Sequence, residues 1–221
     1  MATEKILTAD QKNILNLISQ NKTICRHFYL TGGTALAEFY LGHRYSEDLD
    51  FFSEKEFDSK FILTFLKSIQ KKAKIKKIAL EQSFNRNLFF LYLTSKEIIK
   101  LEFTYFPFPR INQKNKKNNL FIDSLIDIAV NKIFTIYQKP RARDFIDLYF
   151  ILQIEKWSLD DLLKKAKIKF DWHIDPIQLG SQLLQAKTVK DYPKMIKKID
   201  NKKWQDFFIK EAKKIKKNIL K

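Results

Sequence analysis

The sequence predicts an α+β fold, with a mixed-sheet core followed by an α-helical C-terminal domain. Three observations predict it. A strand, a glycine turn, a helix and a second strand succeed one another between residues 27 and 52, and three further strand-like runs follow by residue 105. Pro107, Pro109 and the polar run NQKNKKNN at 112–119 then break the composition. Beyond that break the apolar residues recur at helical spacing, which sets expected domains at 1–111 and 120–221.

Taken in order, ADQKNILNLISQ at 9–20 spaces Ile14, Leu15, Leu17 and Ile18 as an amphipathic helix. Residues 27–30 form a short apolar run stopped by Gly32 and Gly33, which suits a buried strand entering a tight turn. TALAEFYL continues as a helix to Gly42, and residues 49–52 form the next strand, reached through the polar turn HRYSED. Phe57, Phe61, Ile62, Phe65, Leu66 and Ile69 mark a helix within 56–72. Strands are expected at 74–82, 87–94 and 97–105. Helices are expected at 120–138, 141–153, 159–168, 175–187 and 202–219, with Pro140 and Pro176 where a first turn tolerates proline.

Composition narrows the classes. With 45% hydrophobic residues, 20 Phe and 8 Tyr against 4 Gly and 5 Pro in 221 residues, the chain is neither disordered nor collagenous. Lys and Arg number 42 against 25 acidic residues, and the formal charge of +17 attracts phosphate polymers or an anionic surface. The single Cys25 forms no internal disulfide, and MATEKILTADQKNIL lacks the apolar stretch of a secretory signal, so a cytoplasmic location is expected. Every apolar stretch is interrupted by Lys, Asp or Asn before it reaches membrane-spanning length, so no membrane association is expected.

The chemistry concentrates between residues 32 and 50. Gly32-Gly33-Thr34 at a helix start offers bare backbone N–H groups and a hydroxyl to a phosphate. Asp48 and Asp50, two apart on a strand, project their carboxylates from one face, and such a pair can hold Mg²⁺ shared with substrate phosphates. At this spacing and order the pair resembles the signature of the DNA-polymerase-beta-like nucleotidyltransferase superfamily. The wider stretch LTGGTALAEFYLGHRYSEDLDFF, residues 30–52, is similar to the first motif of the abortive-infection AbiEii/AbiGii toxin family, a branch of that superfamily.

That resemblance implies further residues. Glu102, on the strand face opposite Ile99, Leu101 and Phe103, matches the family's third acid, as a metal ligand or as the base for the acceptor hydroxyl; Lys100 shares its face, and a surface strand glutamate is the competing reading. Lys132 lies on an apolar helical stripe with Leu125, Ile128, Ala129 and Ile136, where lysines also snorkel. With KPRARDFIDLYF after it, it resembles the family's second motif block, which implies that Lys132 contacts the nucleotide phosphates and that Asp144 is a site residue. Compensation of a helix dipole is the alternative for Asp144, and an ion pair with Arg141 or Arg143 the alternative for Asp147. Arg44 and Ser46, inside the first motif, are expected to orient the triphosphate; His43 is a weaker candidate.

The implied activity transfers a nucleoside monophosphate from an NTP, with Mg²⁺, to an acceptor hydroxyl in a cleft between the two domains. The family implies a toxin of a bacterial toxin–antitoxin or phage-defence pair, with a cognate antitoxin protein and tRNA as leading RNA acceptor. Residues 155–221 carry 18 Lys and no Arg against 9 acidic residues, including the cluster Lys213, Lys214, Lys216 and Lys217. Diffuse contact with an RNA backbone and simple solubilisation explain this equally. Two other readings compete. A transferase acting on a small molecule or protein is disfavoured, for a cationic antibiotic, by the basic C-terminal half. A catalytically silent binding module is disfavoured by the intact Asp48, Asp50, Glu102 and Lys132.

Overall fold

The computed structural model describes residues 6–113 and 115–219, with side chains to residue 215. Met1–Lys5, Lys114 and the side chains of Lys216 and Lys217 lie outside the described residues. The chain divides into two compact units, one of residues 1–40 and 45–124, the other of 41–44 and 125–221.

The first unit is built on a seven-stranded mixed sheet. Helix α1 (Ala9–Gln20) starts at a capping box in which the Thr8 hydroxyl accepts from Gln11 N–H while the Gln11 side chain accepts from Thr8 N–H. Asn21 ends it and its side chain caps a six-residue helix, α2 (Lys22–His27). The strand expected at 27–30 is β1 (Tyr29–Thr31), because α2 takes up His27. The helix expected over 34–41 is α-helical only over α3 (Gly32–Leu36) and continues as a π-helical turn at Ala37–Leu41. Next come β2 (Leu49–Ser53), α4 (Ser59–Ile69), β3 (Ile75–Ser83), β4 (Arg86–Leu93) and β5 (Ile98–Tyr105).

Residues 116–122 correct the sequence expectation. Lys116–Lys117 form β6 and Leu120–Ile122 form β7, so the helix expected from residue 120 begins at Leu125. The apolar triplet Leu120-Phe121-Ile122 runs into a helical pattern and hides the change of period. The strand order is β3-β4-β5-β2-β1-β7-β6, with β2–β5 and β1–β7 parallel and the other neighbours antiparallel. Leu49, Phe51, Phe89, Leu91, Leu101 and Phe103 fill one face and are essentially inaccessible, as are Ile62 and Leu66 of α4. Phe103 stacks on Phe51 and meets Phe28 edge-on, with ring centroids 4.9 and 5.0 Å away. Burying each such ring stabilises the fold by about 1.5–3 kcal/mol.

The second unit is helical: α5 (Leu125–Gln138), α6 (Ala142–Ile154), α7 (Leu159–Phe170), α8 (Pro176–Leu184) and α9 (Asn201–Ile219). Its core holds Phe145, Trp204 and Phe208, with Trp204 stacked 5.8 Å from Phe145. Leu41–Arg44 joins this unit: Arg44 bridges Met195, and the His43 carbonyl accepts from the backbone N–H groups of Ile196 and Lys197.

Candidate active site

The acids of the first unit gather on the sheet face opposite the Phe51–Phe103 core. β1, β2 and β5 run in register so that Thr31 faces Asp50 and Asp50 faces Glu102. Gly32 begins α3 with φ +74°, a conformation that favours glycine, and a Cβ placed there would collide with Asp50 Oδ2. The glycine predicted to make a phosphate turn therefore also makes room for the second aspartate. Gly33 follows inside α3. Thr34 is fully buried; its hydroxyl donates to the Asp48 carbonyl and lies 2.9 Å from the Ser46 hydroxyl. Thr34 and Ser46 thus hold the turn that delivers Asp48.

Each flanking acid has a cation of the chain's own. Lys100 Nζ donates to Asp48 Oδ2 at 2.9 Å, and both side chains remain partly accessible. Arg86 grips Glu102 with two hydrogen bonds of 2.7 and 2.6 Å, and the Thr104 hydroxyl donates to Glu102 Oε1 at 3.0 Å. Burial pushes the Glu102 carboxyl up, but Arg86, Thr104 and Lys100 together outweigh it and leave the pKa below its ordinary value. Arg86 is raised in turn by its bonds to Glu102, with Asp50 and Asp48 adding attraction. Among the described residues no three acidic, His or Cys side chains form a preassembled metal cluster. Asp48 and Asp50 fit a divalent cation as a two-carboxylate oxygen pair beside a glycine that leaves space, while Glu102 is held by Arg86.

The other predicted site residues meet within the helical unit. Lys132 Nζ lies 2.7 Å from both Asp144 and Asp147, and all three side chains are buried. Arg141, ahead of α6, donates from Nε to Asp144 Oδ2 at 2.7 Å. Arg44 clamps Asp147 with Nε and Nη2 at 2.6 and 2.8 Å, and His43 Nε2 lies 2.8 Å from the same carboxylate. Burial lowers Lys132 and raises both aspartates, yet their mutual attraction prevails: Lys132 ends raised, Asp144 lowered and Asp147 lowered well below the carboxylate range. Burial is also the main reason that His43 is lowered, and its Nδ1 has no hydrogen-bond partner.

The expectations for Arg44 and Asp147 meet a different geometry. Arg44, expected at the triphosphate, is buried against Asp147, and Asp147 pairs with Arg44, His43 and Lys132 in place of the nearby Arg141 or Arg143. Arg86 escaped sequence reasoning altogether. Its only signal is the β3–β4–β5 register, which sets Arg86 opposite Thr104, diagonal to Glu102.

Comparison with known proteins agrees with this frame. Residues 19–213 match the family described as nucleotidyl transferase AbiEii toxin, type IV toxin–antitoxin system. An uncharacterized protein of Aquifex aeolicus is 38% identical over 151 residues, covering 66% of this chain and 68% of its own. JHP933 from Helicobacter pylori shares the fold with TM-score 0.58 and 21% identity, over 97% of this chain and 94% of that one. A second H. pylori protein, assigned as a nucleotidyltransferase, gives TM-score 0.60 and 22% identity over 96% and 97%. Among the described residues no helix is long and apolar enough to cross a membrane. With the match spanning both the glycine–aspartate strands and the Lys132 network, the chain belongs to the AbiEii nucleotidyltransferase toxin family of type IV toxin–antitoxin systems.

Proposed function

We propose that the chain is a Mg²⁺-dependent toxin that transfers a nucleoside monophosphate from an NTP to a hydroxyl of an RNA acceptor, with tRNA foremost, and that its cognate antitoxin restrains this activity. The observation that carries the reading is the Asp50 carboxylate seated in the space left by Gly32, with Asp48 and Glu102 on the same sheet face. When bound, Mg²⁺ neutralises triphosphate charge. Asp48 and Asp50 would hold it, and Lys100 would give up or share its contact with Asp48. In the transfer the acceptor oxygen bonds to the α-phosphorus, the bond to the β-bridging oxygen breaks, and pyrophosphate leaves. The hydroxyl proton passes to the Glu102 carboxylate, which Arg86 and Thr104 keep ionised, and from there to water. Glu102 with Arg86 fixes the charge and shape of the face, so catalysis is mainly positioning and neutralisation.

Lys132, Asp144, Asp147, Arg44 and His43 act as a positioning network inside the helical unit. The test is incubation of the protein with each α-³²P-labelled NTP, Mg²⁺ and total RNA, beside Asp48→Ala. Labelled RNA in the wild type and none in the variant is expected. Label confined to protein or small molecules would overturn the acceptor, and no label with any NTP would overturn the activity.

A further inference from the structure

Phe84 is fully exposed at the tip of the β3–β4 hairpin, with φ +48°. Ser83 pairs with Arg86, so Phe84 and Asn85 form the whole loop. Two-residue hairpin loops place Gly or Asn where φ is positive, and a bulky ring there is conformationally disfavoured. Neither core packing nor turn geometry calls for phenylalanine at this position. An outlier that the fold does not require points to a role outside the fold.

Its surroundings indicate what it meets. Arg86, two residues on, is the guanidinium that grips Glu102, and the Asn85 carbonyl accepts from Tyr105 N–H at 2.9 Å at the end of β5. The tip is therefore tied directly to the acid face. Glu102 faces Leu88, four residues along the hairpin from Phe84, about 13 Å of strand and the rise of about four stacked nucleotides. Between residues 70 and 86 the chain carries five lysines and Arg86 against Glu81 alone. All five, Lys71, Lys72, Lys74, Lys76 and Lys77, are exposed, leading into or lying on β3 at the end of the sheet. These lysines lie at the start of β3 and Phe84 just past its end, so one strand carries cations at one end and an exposed ring at the other, the combination that holds single-stranded nucleic acid along its length.

We propose that Phe84 stacks on a base of the single-stranded acceptor RNA, about four nucleotides from the hydroxyl being modified, while the β3 lysines hold its backbone. This inference rests on the RNA-acceptor reading above and adds the residue that positions the strand. Stacking on the tip explains why an exposed, strained phenylalanine stands two residues from the Glu102 clamp.

The test uses the full chain and a 5′-fluorescein-labelled single-stranded RNA 12-mer with a free 3′-hydroxyl. Phe84→Ala should weaken its binding by about five-fold to about a hundred-fold, the worth of one base–aromatic stack. Phe84→Trp should bind at least as tightly as wild type. The slope of affinity against salt should stay unchanged in both, because no cation is lost, while Lys76→Gln with Lys77→Gln should flatten it. Mg²⁺-dependent binding of the NTPs should be unaltered, and the melting temperature of Phe84→Gly should equal or exceed that of wild type. RNA affinity of Phe84→Ala equal to wild type overturns the proposal, as does loss of antitoxin binding with RNA affinity intact, which would make the ring a protein contact. Wild-type protein that binds no NTP in Mg²⁺ would instead overturn the nucleotidyltransferase mechanism proposed above.

Discussion

The Asp50 carboxylate occupies the space that a side chain on Gly32 would need, so the glycine turn and the aspartate-bearing strand are one construction. Gly32→Ala strikes both parts: its Cβ meets Asp50 Oδ2, and its backbone, at φ +74°, leaves the range that alanine favours. The variant should lose about 1–3 kcal/mol of stability, the usual cost of a strained backbone site. It should also lose Mg²⁺-dependent NTP binding, measured by calorimetry at a temperature where it remains folded. Retained NTP affinity would separate the glycine from the site.

Asp48→Ala and Asp50→Ala should each abolish nucleotide transfer and relieve growth inhibition, because both acids are partly accessible and neither fills the core. Far-UV circular dichroism should match wild type. Transfer at the wild-type rate in either variant would remove the metal role from that residue.

Glu102→Gln keeps the size of the side chain but breaks a two-point grip, since Arg86 donates to both carboxylate oxygens. Turnover should fall more than NTP affinity. Arg86→Gln should reproduce much of that loss, and the double variant should be little worse than either single one, as expected for residues acting as a unit. Additive losses would assign the two residues separate roles.

The glycine turn, the aspartates and the third acid were legible because each sits in a local pattern: a glycine pair before a helix, alternation by two on a strand, an apolar strand with one acid on its outer face. The strands from 75 to 105 were legible for the same reason, since β4 and β5 each bury one alternating face. What escaped depends on pairing over distance. Arg44 and Asp147 are 103 residues apart, and their bidentate contact has no local signature, while the nearby Arg141 suggested a different pair. Helix α2, at six residues, is too short to establish a period. Arg86 becomes visible only once the hairpin register sets it against Thr104.

Lys132 supplies the counter-charge for two buried aspartates at once. Lys132→Met keeps an unbranched side chain, one atom shorter, but leaves Asp144 to Arg141 and Asp147 to Arg44 and His43. Removing one partner of a buried ion pair costs about 3–5 kcal/mol, so urea denaturation should show a large loss of stability. If Lys132→Met matched wild type in stability but lost transfer, Lys132 would contact the nucleotide directly, as the family resemblance implies.

His43 and Asp147 make the helical unit sensitive to acid, and the direction follows from their shifts. Burial holds His43 below the ordinary histidine value of 6.5, opposed by Asp147 and assisted by the charges of Arg44 and Lys132. The folded state therefore favours neutral imidazole, with the Nε2 proton directed at Asp147 and a bare, unpartnered Nδ1. Its stabilising effect is complete above pH 6.5 and is lost as pH falls toward the folded value, because the unfolded chain takes up the proton first. Asp144 and Asp147 shift downward from 3.8, so their contribution is complete above that value and disappears only as pH falls further. The urea midpoint should be flat from pH 7 to 8, fall below 6.5, and fall again below 3.8. His43→Gln, whose amide nitrogen reaches the Nε2 position and can still donate a hydrogen bond to Asp147 but does not titrate, should remove the first decline and leave the second. A decline below pH 6.5 that survives in His43→Gln would assign it to another group.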